Sequence, residues 1–142
     1  MLKGVVGVGL CQPKTPENIG AALRAATCFE VDIFAISGSR CVRNKLDTTK
    51  AFRKIPVIRI NYILEAIPFD CIPIAVEICE KAESIINFKH PKNAFYIFGP
   101  EDGSVPSRII DKCKHVIQIP TKYCLNLGVS VNLVLYDRLI NK

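Results

Sequence analysis

Short β-branched runs that alternate with helically spaced segments constrain this chain more than any other feature. Residues 2–9 (LKGVVGVG) and 31–36 (VDIFAI) have the composition of buried strands. Between them Ile19, Ala22, Leu23 and Ala26 recur at helical intervals after the turn residues Pro16 and Asn18. A strand, a helix and a second strand so closely spaced make a βαβ unit, which places the two strands parallel. The alternation then continues. A basic segment is followed by an expected strand at 55–60, a short helix at 61–66, strands at 72–78 and 94–98, a helix at 105–113 and a strand at 115–119. Valines in the last segment favour a strand, yet Leu127, Val131, Val134 and Leu135 share one helical stripe, and the segment's length decides for a helix. The expected fold is therefore α/β, a mainly parallel sheet with helices on both faces and ligands at the carboxyl ends of its strands.

At 142 residues with 49% hydrophobic side chains, the chain suits one core, so a single domain over 1–142 with no appended domain is expected. Charged residues or prolines interrupt every apolar run well before the roughly 20 residues needed to cross a bilayer. The stretch Gly4–Leu10 after Lys3 imitates a secretory signal, but Leu10 precedes Cys11 where a small residue would be needed. Seven cysteines without a C-x-x-C pair point to neither a zinc site nor a disulfide framework, and reduced thiols in a cytoplasm fit best. The net charge of +6 is concentrated. Residues 38–54 carry Arg40, Arg43, Lys45, Lys50, Arg53 and Lys54 against Asp47 alone, the footprint of a polyanion such as RNA or of a solvated loop.

Familiar nucleotide motifs fail. Gly7 and Gly9 would need a third glycine where Gln12 stands, no G-x-x-x-x-G-K-[ST] loop occurs, and no G-x-S-x-G accompanies the two histidines, His90 and His115. Each histidine borders an expected strand, where a structural or surface role is the simpler reading. Three loops that follow strands remain. In PKTPENIGAALRAA (13–26) Asn18 can cap the helix, and Gly20 lies one turn before Arg24, which points away from the apolar stripe. In FGPEDGSVP (98–106) Gly99 permits close backbone approach and Glu101 sits at a strand's carboxyl end, although Ser104 and Pro106 also read as an ordinary helix start. In IPTKYCLNLGVSVN (119–132) Cys124 and Asn126 flank a helix entrance, where a simple cap is again the alternative.

Taken in order, these loops resemble the three motifs of the SPOUT methyltransferases, and specifically the SpoU (TrmH) branch of RNA ribose 2′-O-methyltransferases. The matching residues are Asn18, Gly20 and Arg24; F-G-P-E-x-G with Gly99, Glu101 and Gly103; and I-P-T followed by C-L-N-L-G-V-S-V. The resemblance implies a catalytic group of Arg24, Asn18, Glu101 and Asn126, and S-adenosylmethionine held around Val76, Gly99, Ile119, Cys124 and Leu125. It further implies a C-terminal trefoil knot and an active site shared across a homodimer. Arg40, Arg43, Lys45, Arg53 and Lys54 would grip tRNA or rRNA, no metal is required, and a cytoplasmic enzyme is expected. Many members have serine where this chain has Cys124. That departure keeps two alternatives in view, an RNA- or cofactor-binding protein of this fold without transfer activity, and a base methyltransferase. Close packing in the dimer is expected of Gly128, Ser130 and Asn132 on the last helix.

Overall fold

The computed structural model of the chain describes residues 4–40 and 54–141. Among these residues seven strands form one sheet: β1 (Val6–Cys11), β2 (Ile33–Ser37), β3 (Val57–Ile60), β4 (Ile72–Val76), β5 (Glu83–Ser84), β6 (Ala94–Phe98) and β7 (His115–Gln118). Their order across the sheet is β3-β2-β1-β6-β4-β7-β5, and every pairing is parallel. Among the described residues the helices are α1 (Pro16–Cys28), α2 (Ser107–Ile110) and α3 (Leu127–Ile140), with 3-10 turns at Ile63–Ala66 and Ile85–Asn87. The alternation in the sequence thus becomes a parallel α/β sheet.

Strand β1 shows how the sequence chooses its faces. Val6, Val8 and Leu10 point into one core, while Gly7 and Gly9 open space on the other for Phe95 of the neighbouring strand. A Cβ on Gly7 would come within 2.4 Å of the Phe95 ring, and one on Gly9 within 2.7 Å. The glycines that failed as a dinucleotide fingerprint are thus seats for an aromatic ring. On the first face the core includes Ile19, Leu23, Val131 and Leu135, so α1 and α3 lie side by side over Leu10, Phe34 and Tyr96. Among the described residues the opposite face has short cover, the 3-10 turn with Ile63 and α2 with Ile109 and Ile110. Helical elements therefore cover both faces, but the two long helices share one.

Several expected boundaries move. Strand β1 runs from Val6 to Cys11 instead of 2–9, the helix expected at 105–113 shortens to Ser107–Ile110, and β5 was not anticipated because two residues carry no readable periodicity. Helix α1 is capped by the Thr15 hydroxyl, which accepts from the Asn18 backbone N–H at 3.3 Å; this frees the Asn18 side chain for another use. Neither Ser104 nor any other side chain caps α2. Gly128 is also reassigned. It is buried inside the chain, where a Cβ would meet Ala21 of α1 at 2.7 Å, and Asn132 turns back to the Gly128 carbonyl, so Gly128 itself packs α3 on α1 within the fold while Asn132 stays exposed.

The two histidines take structural places. His90 is buried, with Nδ1 2.6 Å from the Tyr96 hydroxyl and Nε2 2.7 Å from Asp137. His115 opens β7 and meets the edge of the Phe88 ring. All six described cysteines are free; burial pushes the Cys11 thiol up to about 12 and the Cys113 thiol to about 11, which keeps both protonated. Among the described residues no helix is long and apolar enough to cross a membrane, and no cluster of His, Cys, Asp or Glu could hold a metal.

Candidate cofactor and catalytic site

A cavity of about 330 Å³ opens at the carboxyl ends of β4, β6 and β7. Three segments that leave those strands form it: Val76–Ile78, Phe98–Gly103 and Gln118–Leu127, with Asn18 and Ser130 from the two long helices. Val76, Gly99, Ile119, Cys124 and Leu125, the residues implied for the cofactor, all line it. Apolar walls come from Val76, Ile78, Ile119, Leu125 and Leu127. The charged side chains among the described lining residues are Glu77 and Glu101. In a chain of net charge +6, that cavity is acidic.

Asn18, Glu101 and Asn126 come together although they are far apart in sequence. The Asn126 Nδ2 donates to Asn18 Oδ1 at 3.1 Å, and the Asn18 Nδ2 donates to Glu101 Oε2 at 2.7 Å. At one end of this relay Asn126 Oδ1 caps α3, accepting from the backbone N–H of Gly128 at 2.8 Å and Val129 at 3.4 Å. At the other end Glu101 accepts from the backbone N–H groups of Lys14 and Thr15. Burial would raise its pKa, but the Asn18 amide and these N–H donors more than offset that, leaving the carboxyl below its ordinary value. Capping and relay are one function for Asn126, since a single amide uses its oxygen for the helix and its nitrogen for Asn18.

Other expected residues fall elsewhere. Arg24 is exposed on α1, does not line the cavity, and makes no ion pair with a described residue. Arg40 reaches the loop after β6 and forms a two-pronged ion pair with Asp102. Lys54 precedes the amino end of β3, the sheet edge opposite the cavity. Arg43, Lys45 and Arg53 lie outside the described residues. Gly99 does allow a close backbone approach, but to its own loop: a Cβ there would sit 2.6 Å from the Val105 nitrogen.

Sequence reasoning missed Glu77. Its two carboxylate oxygens accept from the backbone N–H of Val105 at 2.7 Å and of Ile78 at 3.1 Å, so it ties the loop after β6 to the loop after β4. A glutamate directly after a buried parallel strand is the signal that was available. Ser130, which also lines the cavity, follows from being one turn beyond the cap Asn126.

With this geometry in place, the sequence matches the SpoU rRNA Methylase family over residues 6–136. The chain belongs to that family. The fold is similar to AviRb, a SpoU methyltransferase from Streptomyces viridochromogenes in complex with the cofactor AdoMet, at a TM-score of 0.83 and 16% identity over 99% of this chain and 61% of that one. It is also similar to the A. aeolicus TrmH/SpoU tRNA modifying enzyme, with a TM-score of 0.85 and 16% identity over 99% of this chain and 76% of that one. An AdoMet-bound rRNA methyltransferase from Sinorhizobium meliloti gives a TM-score of 0.82 and 19% identity, covering 96% of this chain and 56% of its own. No curated protein matches the sequence. In a second AviRb structure the chain spans 60% of that protein's length, and at 18% identity that likeness carries the fold alone.

Proposed function

We propose that this SpoU family member transfers a methyl group from S-adenosylmethionine to a ribose 2′-hydroxyl of tRNA or rRNA. The observation that carries the reading is the charge of the cavity. Glu77 and Glu101 are the charged side chains among its described lining residues, which suits a nucleoside carrying a positive sulfonium better than a nucleotide phosphate. Val76, Gly99, Ile119, Cys124 and Leu125 would hold the adenosine through apolar contact and backbone groups. The cofactor supplies a methyl group on a cationic leaving group, so the protein's task is chiefly to position an oxygen.

Asn126, Asn18 and Glu101 keep the three loops in register and leave the cavity rim rigid. Arg24 would hold the incoming hydroxyl and its neighbouring phosphate; a guanidinium stays protonated near neutral pH, so it stabilises developing negative charge instead of accepting a proton. Because Arg24 does not reach the cavity of its own chain, it would serve the cavity of a second copy. Support comes from α3, where Val129, Leu133, Tyr136 and Ile140 form an exposed apolar stripe beside α1 at the spacing of a helix–helix seam. Such a stripe suits a homodimer.

The trefoil knot belongs to the same proposal. The chain between β4 and β5 crosses the carboxyl end of β7, tied there by Glu77 N–H to the Ile117 carbonyl and by Gln118 Nε2 to the Ala82 carbonyl, and in a knot the segment from 119 would thread beneath that crossing. Free thiols at six described cysteines support a reducing compartment such as the cytoplasm. Incubation with methyl-labelled S-adenosylmethionine and total RNA, followed by mass spectrometry of the nucleosides, is the test. Label in 2′-O-methyl nucleosides is the expected result; label in base-methylated nucleosides, or cofactor binding without any transfer, overturns it.

A further inference from the structure

Two adjacent acids on the loop after β6 have different surroundings. Glu101 is saturated by the amide of Asn18 and the N–H groups of Lys14 and Thr15. Asp102 has Arg40 as its side-chain partner, with Nη1 to Oδ1 at 3.1 Å and Nη2 to Oδ2 at 2.8 Å. The pair spans the exit of β1, joining the end of β2 to the cavity loop. Its side chains remain 35% and 47% exposed.

We propose that Asp102 occupies the Arg40 guanidinium as a stand-in for phosphate in the RNA-free protein, and that binding exchanges this carboxylate for a phosphodiester of the RNA backbone. The inference rests on the reading of the protein as an RNA methyltransferase. A planar guanidinium presents the same pair of parallel N–H donors to a carboxylate and to a phosphate, so Arg40 is already held in the geometry a phosphodiester needs. Exposed ion pairs are weak, and the exchange costs little. Lys14 also lies close enough to favour the charged form of Asp102. The pair thus places a cation at the cavity rim and keeps it occupied until a polyanion with correctly spaced phosphates arrives.

A double-mutant cycle on binding of fluorescently labelled bulk tRNA tests this. Asp102→Asn is expected to tighten binding roughly threefold in the presence of Arg40, and by less than about half that factor when Arg40→Gln is also present. Arg40→Lys keeps the charge without the fork, and is expected to lose most of the coupling. Equal tightening in both backgrounds would show that Asp102 merely repels RNA, and weaker binding by Asp102→Asn would make the pair a strut; either overturns the exchange. Circular dichroism melts confirm that each variant is folded. If no folded variant, nor the parent, binds tRNA in a salt-dependent way, the RNA reading falls and takes the exchange with it; binding without coupling removes the exchange alone.

Discussion

Both ends of α3 are held by polar networks, one open to solvent and the other sealed. At its amino end Asn126 relays through Asn18 to Glu101, and Asn126 and Glu101 are exposed. At its carboxyl end Asp137 and Arg138 meet His90 and Tyr96, with the Arg138 guanidinium also donating to the Pro91 and Lys92 carbonyls. Neutral His90 donates from Nε2 to Asp137 and accepts at Nδ1 from the Tyr96 hydroxyl, which in turn accepts from Arg138. Burial lowers the His90 pKa against the pull of Asp137, and pushes Tyr96 up to about 12. The difference teaches what burial decides. In the sealed network a lost partner strands a polar group, whereas at the open end water can replace one.

The largest expected break falls on the open side. Arg24→Ala is expected to lower methyl transfer by about 10²-fold or more while shifting the melting temperature little, since an exposed side chain without an ion-pair partner among the described residues carries little stability. Transfer assays and calorimetric melts on one preparation check both halves. Parental transfer by this variant would remove Arg24 from the chemistry.

His90→Ala should do the reverse. Taking the acceptor from the Tyr96 O–H and the ring N–H donor from Asp137 is expected to cost about 1–3 kcal/mol in urea unfolding, with cofactor affinity by calorimetry close to the parent's. The site lies at the other end of α3. A large loss of cofactor affinity at unchanged stability would show that the two ends are coupled.

Acid separates the networks by pH window. His90 stays neutral in the fold while the unfolded chain takes up a proton near pH 6.5, so stability contributed by this group falls as pH drops below about 6.5. Glu101, whose carboxyl is depressed, contributes stability that is present above its ordinary value and is lost only as pH falls below about 4.5. Melting temperatures measured across this range should show the first slope diminished in His90→Gln and retained in Glu101→Gln. The smallest effect is expected of Cys124→Ser, which keeps an exposed side chain of similar size in the cavity wall. Its transfer rate should stay within a few-fold of the parent, whereas a covalent nucleophile would be nearly abolished.

What was legible in the sequence is local. Val6, Val8 and Leu10 alternate, Pro16 opens a helix, and the stripe Leu127, Val131, Val134, Leu135 outweighs the strand preference of its valines because burial against the sheet is worth more than propensity. The positions of Asn18, Glu101 and Asn126 were readable as motif residues, but their hydrogen bonds were not, since they join groups 83 and 108 residues apart. Thr15 as the cap of α1, Glu77 as the tie between loops and Arg40 on Asp102 left no comparable trace. Periodicity records how a segment disposes of its own apolar face, because that is settled within a few residues. Which polar groups then meet depends on strand order, and the order β1-β6-β4-β7 emerges only when the whole chain has closed its sheet.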